Sequence, residues 1–269
     1  MMQQKKKNKK PIKPVKKPFL RGNAVDKGTF RTAVMFFFGL IGMVLINVLL
    51  GSIVMWDIPW LNIVFSCALL LVVYSVFYQN GANKGTAAVN QGEIMWQRQQ
   101  DGKTVAAEDK ALCFHPLKGF IGALLGSLPA LICGIMLAVV AQKQFTGLGA
   151  LPTWINTLQR QTEMADALAI YQTSGVLTME DTLRMIVRML ILPFVNMVGA
   201  ENRDGLLILE RISALILLLP AVSYGLGYLR GVDVRTRVHT EIAMGKRKHA
   251  RKEKKRRRAR VEKGPEQLN

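Results

Sequence analysis

The residues of this chain best suited to chemistry are four charges embedded in apolar sequence: Arg184, Arg188, Glu210 and Arg211. Ionisable side chains in such segments are costly to bury and often mark a transport path or a polar site inside a membrane. Arg184 and Arg188, four residues apart, share one face of a helix. Glu210 stands a turn or more inside a later apolar run and can pair with either arginine if the two helices pack together. The favoured reading is plainer: all four lie at headgroup level, solvated or bound to lipid phosphate.

Other candidates carry less. His115 stands alone beside Pro116 and reads as an interface residue rather than a general base. Cys67 and Cys133 fall in apolar runs and Cys113 in a polar loop, with no CxxC or Cys/His ligand spacing, so they read as small core residues or free thiols. No metal or other cofactor is expected. The chain has no HExxH, GxSxG, Walker A or GxGxxG sequence, and no paired carboxylates in a credible polar site. A non-enzymatic role is therefore expected.

Charge is the strongest compositional signal. The formal net charge is +19, and of 37 Lys and Arg residues 11 lie in 1–32 and 15 in 230–269. The run 246–260 alone holds 11: Lys246, Arg247, Lys248, Arg251, Lys252, Lys254, Lys255, Arg256, Arg257, Arg258 and Arg260, with Glu253 as its single acid. Such density calls for a polyanion. Anionic phospholipids attract juxtamembrane Lys and Arg at about 1 kcal/mol each, and a tethered tail meets them at high effective concentration. RNA, including that of a ribosome, is the other candidate. The run has no Phe, Tyr or Trp to stack on bases, so RNA binding would be phosphate-led and salt-sensitive. Lipid is the default partner and ribosome or RNA contact the sharper hypothesis.

The N-terminal arm repeats the theme with Lys5, Lys6, Lys7, Lys9 and Lys10, then Pro11, Pro14 and Pro18. Prolines so spaced favour extended, solvated chain. Both basic termini are expected to be disordered without a partner.

The elements that must position these residues are membrane spans. The runs 33–54, 120–141 and 206–228 meet the requirement of about 20 apolar residues, and 61–78 falls slightly short. The first is too long, and lacks the small-residue cleavage site, for a signal peptide. Trp56 and Trp60 flank a tight turn at the membrane–water interface, so 33–78 reads as a transmembrane hairpin.

Loops rich in Lys and Arg stay in the cytosol. The arm 1–32 is then cytosolic, the turn 55–60 outside, and the loop 79–119 cytosolic again with Lys84, Arg98, Lys103, Lys110 and Lys118. The loop 142–178, with a short helix at 165–171, lies outside. The loop 79–119 should be partly helical: 85–100 continues the second span, Asp101 and Gly102 turn, and Thr104 caps a short helix through Ala111.

The segment 179–198 is ambiguous. Thr178 and Asp181 resemble a helix start, and the apolar stretch is long enough to cross. Yet it carries Arg184, Arg188 and Pro193, and a fifth span would put the basic tail 229–269 outside, against the positive-inside rule. It is expected to be an amphipathic interfacial or re-entrant helix on the outer side.

Small residues should serve packing: Gly122 and Gly126 form a GxxxG in the third span. Pro129 and Pro220 should kink their helices.

The expected fold is thus all-α: a polytopic integral membrane bundle of four transmembrane helices in the cell membrane, with one interfacial or re-entrant helix and both disordered basic termini in the cytosol. The expected role is an accessory or scaffold protein. A small transporter or channel component is the alternative, its path lined by Arg184, Arg188 and Glu210. Four spans enclose little space, so that reading needs a homo-oligomer or a membrane-protein partner.

Overall fold

In the computed structural model, residues 14–53, 59–141, 179–199 and 202–262 are described. The described residues form seven helices and no strand: α1 Lys27–Ile53, α2 Pro59–Gln100, α3 Ala107–Ala111, α4 Lys118–Val140, α5 Met179–Leu190, α6 Leu192–Val198 and α7 Arg203–Glu262. The turn 54–58 and the loop 142–178, with its expected helix at 165–171, lie outside the described residues.

Four of these helices are long and apolar enough to cross a membrane: α1, α2, α4 and α7. At most 39% of the residues in each apolar window are buried inside the protein. Phe38, Leu49, Leu71, Val139 and Leu215 point outward, each at least 64% exposed. Helices so apolar around their whole circumference suit a multi-pass membrane protein, because lipid tails cover the outward residues without penalty.

Local sequence sets the helix ends. Asp26 caps α1, where the Thr29 N–H donates to Asp26 Oδ1 at 3.0 Å and the Asp26 N–H donates to Thr29 Oγ1 at 3.2 Å. Pro59 opens α2, where its missing N–H costs nothing. α2 runs on past its apolar part to Gln100 and stops at Gly102, whose φ of +76° closes the turn. The expected Thr104 cap is not formed. α3 starts later, behind Ala106, with no side-chain cap, and its first turn instead carries Glu108 and Asp109.

The bundle is organised around α7. Its most extensive contact is with α2, then α4, while α1 packs chiefly on α4. The expected hairpin of the first two spans is therefore a loose pair, since α1 and α2 follow each other in sequence but lean on different neighbours.

The α2–α7 contact is close because glycines face each other. A Cβ at Gly81 would lie 2.1 Å from the Tyr224 carbonyl oxygen and one at Gly85 2.2 Å from that of Tyr228. Across the seam, a Cβ at Gly227 would lie 2.0 Å from the Tyr78 carbonyl oxygen and one at Gly231 2.3 Å from the Gly85 carbonyl carbon. Two GxxxG sequences thus bring two backbones into contact. Gly122 and Gly126 do the same for α4 on α1, against Thr32 and the Ala33 carbonyl.

Two large apolar cores fill the bundle, beside a smaller one of Val89, Phe114 and Tyr228. One joins Phe36, Leu40, Leu69, Val73, Phe77, Ala123, Ala221 and Tyr224, toward the end where the described N- and C-terminal segments meet. The other, toward the opposite end, joins Leu131, Leu137, Ala141, Val187, Ile191, Leu206, Leu209 and Leu217. α4 and α7 continue as helices through Pro129 and Pro220.

The segment 179–198 is two helices rather than one. The chain breaks at Ile191, with Pro193 in the first turn of α6. α5 is strongly amphipathic: Arg184, Val187 and Ile191 face the bundle, while Met179, Met185, Ile186 and Met189 face outward. α6 packs against α2 and α1, with Leu192 and Asn196 beside Gly51.

The basic tail is helical to Glu262 as an uninterrupted continuation of the last span. Between Lys246 and Glu262 there is no Gly or Pro, Lys, Arg, Ala and Glu are good helix formers, and extending an existing helix avoids the nucleation cost. In the N-terminal arm, 14–26 is extended, as its prolines imply, but docked. The Leu20 N–H donates to the Gly92 carbonyl and the Gly22 N–H to the Phe114 carbonyl, both at 3.0 Å. The Val15 N–H donates to Thr240 Oγ1 at 3.1 Å. Residues 1–13 and 263–269 lie outside the described residues.

Candidate functional site

Three of the four charges singled out in the apolar sequence meet. Arg184 and Arg188 project from one face of α5 toward Glu210, two turns into α7. Arg184 Nε lies 2.9 Å from Glu210 Oε1, and the Arg188 Nε–H donates to the same oxygen at 2.8 Å. Arg184 Nη2 also donates to Glu180 Oε1 at 2.7 Å, and Asp181 stands 4.0 Å from Nη1. Arg211 is exposed and takes no part.

Arg184 is 1% and Glu210 2% exposed, among the apolar residues of the second core. Two guanidiniums are matched by Glu210 and Glu180, so no net charge is stranded. Removing two opposite charges from water is repaid only with such close geometry. The charges of Arg184 and Glu210 are turned to each other inside the protein rather than to its surface. They join α5 to α7.

A second polar cluster escaped the sequence reading. Glu93 on α2 is 8% exposed and His239 on α7 7%. Arg235 donates from Nε and Nη2 to Glu93 Oε2 at 3.1 and 3.0 Å, and from Nη2 to Asn90 Oδ1 at 2.6 Å. His239 Nε2 lies 2.7 Å from Glu93 Oε1. The spacing signal exists, since Asn90 and Glu93 are i,i+3 and Arg235 and His239 i,i+4, but only the α2–α7 register reveals the partnership.

A carboxylate holding an imidazole is half of a base-and-orienter arrangement. The adjacent hydroxyls are committed elsewhere: Thr236 Oγ1 donates to the Val232 carbonyl at 2.9 Å, and Thr240 Oγ1 donates to that of Thr236 at 2.8 Å. The cluster clamps the extension of α2 to that of α7.

A third ion pair ties the arm to α4. Lys118 Nζ donates to Asp26 Oδ2 at 2.9 Å and also to the Ala111 carbonyl, with both charged side chains at most 10% exposed. Phe19 packs edge-on against Phe114 at 5.9 Å, and Phe114 stacks on Tyr228 at 5.1 Å. Cys113, fully buried here, donates its S–H to the Asp109 carbonyl at 3.5 Å, and burial pushes its thiol pKa up. His115 lies in the turn before α4, where its Nδ1 accepts from the Leu117 N–H.

The tail residues Lys246, Arg247, Lys248, Arg251, Lys252, Lys254, Lys255 and Arg256 are all exposed on α7. The side chains of Arg257, Arg258 and Arg260 lie outside the described set, though their backbone is helical. Among the described residues no group of three or more His, Cys, Asp or Glu is placed to hold a metal. No protein-family model, no curated protein and no solved structure matches the chain.

Proposed function

We propose that this chain is a non-enzymatic membrane scaffold that holds a phosphate polyanion at the cytosolic face of the cell membrane through the basic end of α7. The observation that carries this reading is the continuity of the basic run with the last span. Lys246 lies 18 residues beyond Tyr228, about 27 Å along a helix. Glu93, Arg235 and His239 hold that extension against α2 for much of the way.

The distance favours one polyanion over the other. Electrostatic attraction fades over a Debye length of about 8 Å at physiological salt. A basic run held well beyond that from the apolar boundary meets its own headgroups weakly and a large polyanion standing off the membrane strongly. RNA, as on a ribosome surface, fits; lipid is the second partner. Eight exposed cations with no aromatic neighbour among them suit phosphate contact without base readout. The charge-matched cluster at Arg184, Arg188 and Glu210 gives no support to a transport path.

The test uses the full chain in nanodiscs. Co-sedimentation with ribosomes should fall by orders of magnitude between 50 and 200 mM salt, as several phosphate contacts require (about 10³ or more for six). Replacing the 11 basic residues of 246–260 with Gln should abolish it. Ribosome retention that ignores both salt and these substitutions excludes the reading, and retention by anionic liposomes alone moves the partner to lipid.

A further inference from the structure

The geometry points to a binding site for one anionic phospholipid in the cleft between α1 and α2, distinct from the basic tail. The cleft measures about 340 Å³ and is lined by Phe36, Gly39, Phe77, Tyr224, Asn80 and Lys84. It exists because α1 leans on α4 and α2 on α7, so two consecutive helices part where a hairpin would close.

Its chemistry changes along its length. The floor is aromatic: the Phe36 and Phe77 ring centroids lie 5.2 Å apart and Phe36 meets Tyr224 edge-on at 5.4 Å, all three rings buried in the first core. Gly39 supplies the space above them, since a Cβ there would touch only the Phe77 ring, at 3.6 Å. The mouth is polar. Phe77, Asn80 and Lys84 recur at i, i+3 and i+7, so one face of α2 passes from aromatic to amide to ammonium within two turns.

This order matches a phospholipid at the membrane boundary. The apolar stretch of α2 ends at Tyr78, which places Lys84 about 9 Å further along the helix, at headgroup depth, with a stem long enough to reach back. Lys84 and Asn80 are exposed, and among the described residues Lys84 has no acidic partner within salt-bridge distance. An ammonium and an amide there donate to phosphoryl oxygens while an acyl chain covers Phe36, Gly39 and Phe77. A free phosphate would satisfy the mouth and leave the aromatic floor uncovered, so the occupant is a lipid. The positive charge selects an anionic one.

The probe is phosphatidylglycerol, with phosphatidylcholine as the zwitterionic comparison. Native mass spectrometry would be run on the full chain in detergent, with the 11 basic residues of 246–260 replaced by Gln so that the basic run does not contribute. One retained phosphatidylglycerol per chain is expected. Lys84→Ala should lower its retention about fivefold, toward that of phosphatidylcholine. Gly39→Leu should fill the cleft and remove both lipids. Gly42→Leu, where a Cβ meets nothing within 4 Å, should change neither. Retention of phosphatidylglycerol unaltered by Lys84→Ala or by Gly39→Leu overturns the site. Displacement of the lipid by inorganic phosphate at equal concentration overturns the lipid assignment.

Discussion

The guanidinium of Arg184 on α5 and the carboxylate of Glu210 on α7 lie 2.9 Å apart, at 1% and 2% exposure. The same Glu210 oxygen also takes the Arg188 guanidinium, so one carboxylate holds two cations inside an apolar core. Glu210→Gln keeps the shape and removes the charge, leaving the buried Arg184 and the part-buried Arg188 without their shared carboxylate, with Glu180 and, at 4.0 Å, Asp181 still beside Arg184. Breaking a buried pair in this way costs about 3–5 kcal/mol. Thermal unfolding in detergent should show that loss. Replacing Arg184, Arg188 and Glu210 together with Met should cost less than Glu210→Gln alone, because the charges then left without a cation, Glu180 and Asp181, are 27% and 38% exposed and can be hydrated. The reverse order would mean that these residues are not mutually compensating.

How much of this was legible beforehand depended on the range of the interaction. Apolar runs near 20 residues revealed all four long helices, because span length is a local property. The prediction of helix beyond the membrane on α2 matched the structure because 85–100 has helix formers and the Asp101–Gly102 break. Arg184, Arg188 and Glu210 could be named from apolar context, but their depth could not, since depth depends on α5 packing beside Leu137, Ala141 and Leu206. Likewise, Glu93 and His239 are 146 residues apart, and nothing local distinguishes them from surface charges. In the tail, charge density spoke for solvated chain, while its helix formers and its attachment to the last span account for the helix that runs to Glu262.

The glycine seam between α2 and α7 should tolerate no side chain. Gly85→Ala and Gly227→Ala would each push a methyl into a facing backbone carbonyl, which forces the helices apart. Overpacking of this kind costs about 1–3 kcal/mol. Both variants should unfold at lower temperature than the unsubstituted protein, whereas Gly42→Ala should match it. Loosening the seam should also raise amide exchange at 90–100 and 235–240, where the Glu93 cluster depends on the same register.

The docked arm makes Cys113 a reporter. Its thiol is buried and its pKa raised by desolvation, with the nearby Lys118 charge opposing that shift. The thiolate fraction at neutral pH is therefore below that of a free cysteine, and maleimide labelling should be slow and still rising above pH 9. Phe19→Ala removes the ring packed on Phe114 and weakens the strap that runs past Cys113 through Gly22. Labelling of Cys113 should accelerate in that variant. An equal rate in both proteins would show that the strap does not shield this site.

Orientation has a direct check, because a four-span arrangement separates two accessible points that a five-span one would bring together. With Cys67, Cys113 and Cys133 replaced by Ser, single cysteines at Gln172 and Gln267 should label from opposite faces of the membrane, with Gln267 cytosolic. α5 and α6 together have 19 residues but break at Ile191 and pack against different helices, α5 chiefly on α4 and α6 chiefly on α2, so a crossing there would need the two pieces to act as one rod. Labelling of both Gln172 and Gln267 from outside would require that crossing and would carry the whole basic helix with it. It would overturn the placement of the polyanion site at the cytosolic face and the α2–α7 packing that brings Tyr224 to the lipid cleft, whereas labelling of Gln267 alone from outside would invert all four spans and move the cleft to the other leaflet.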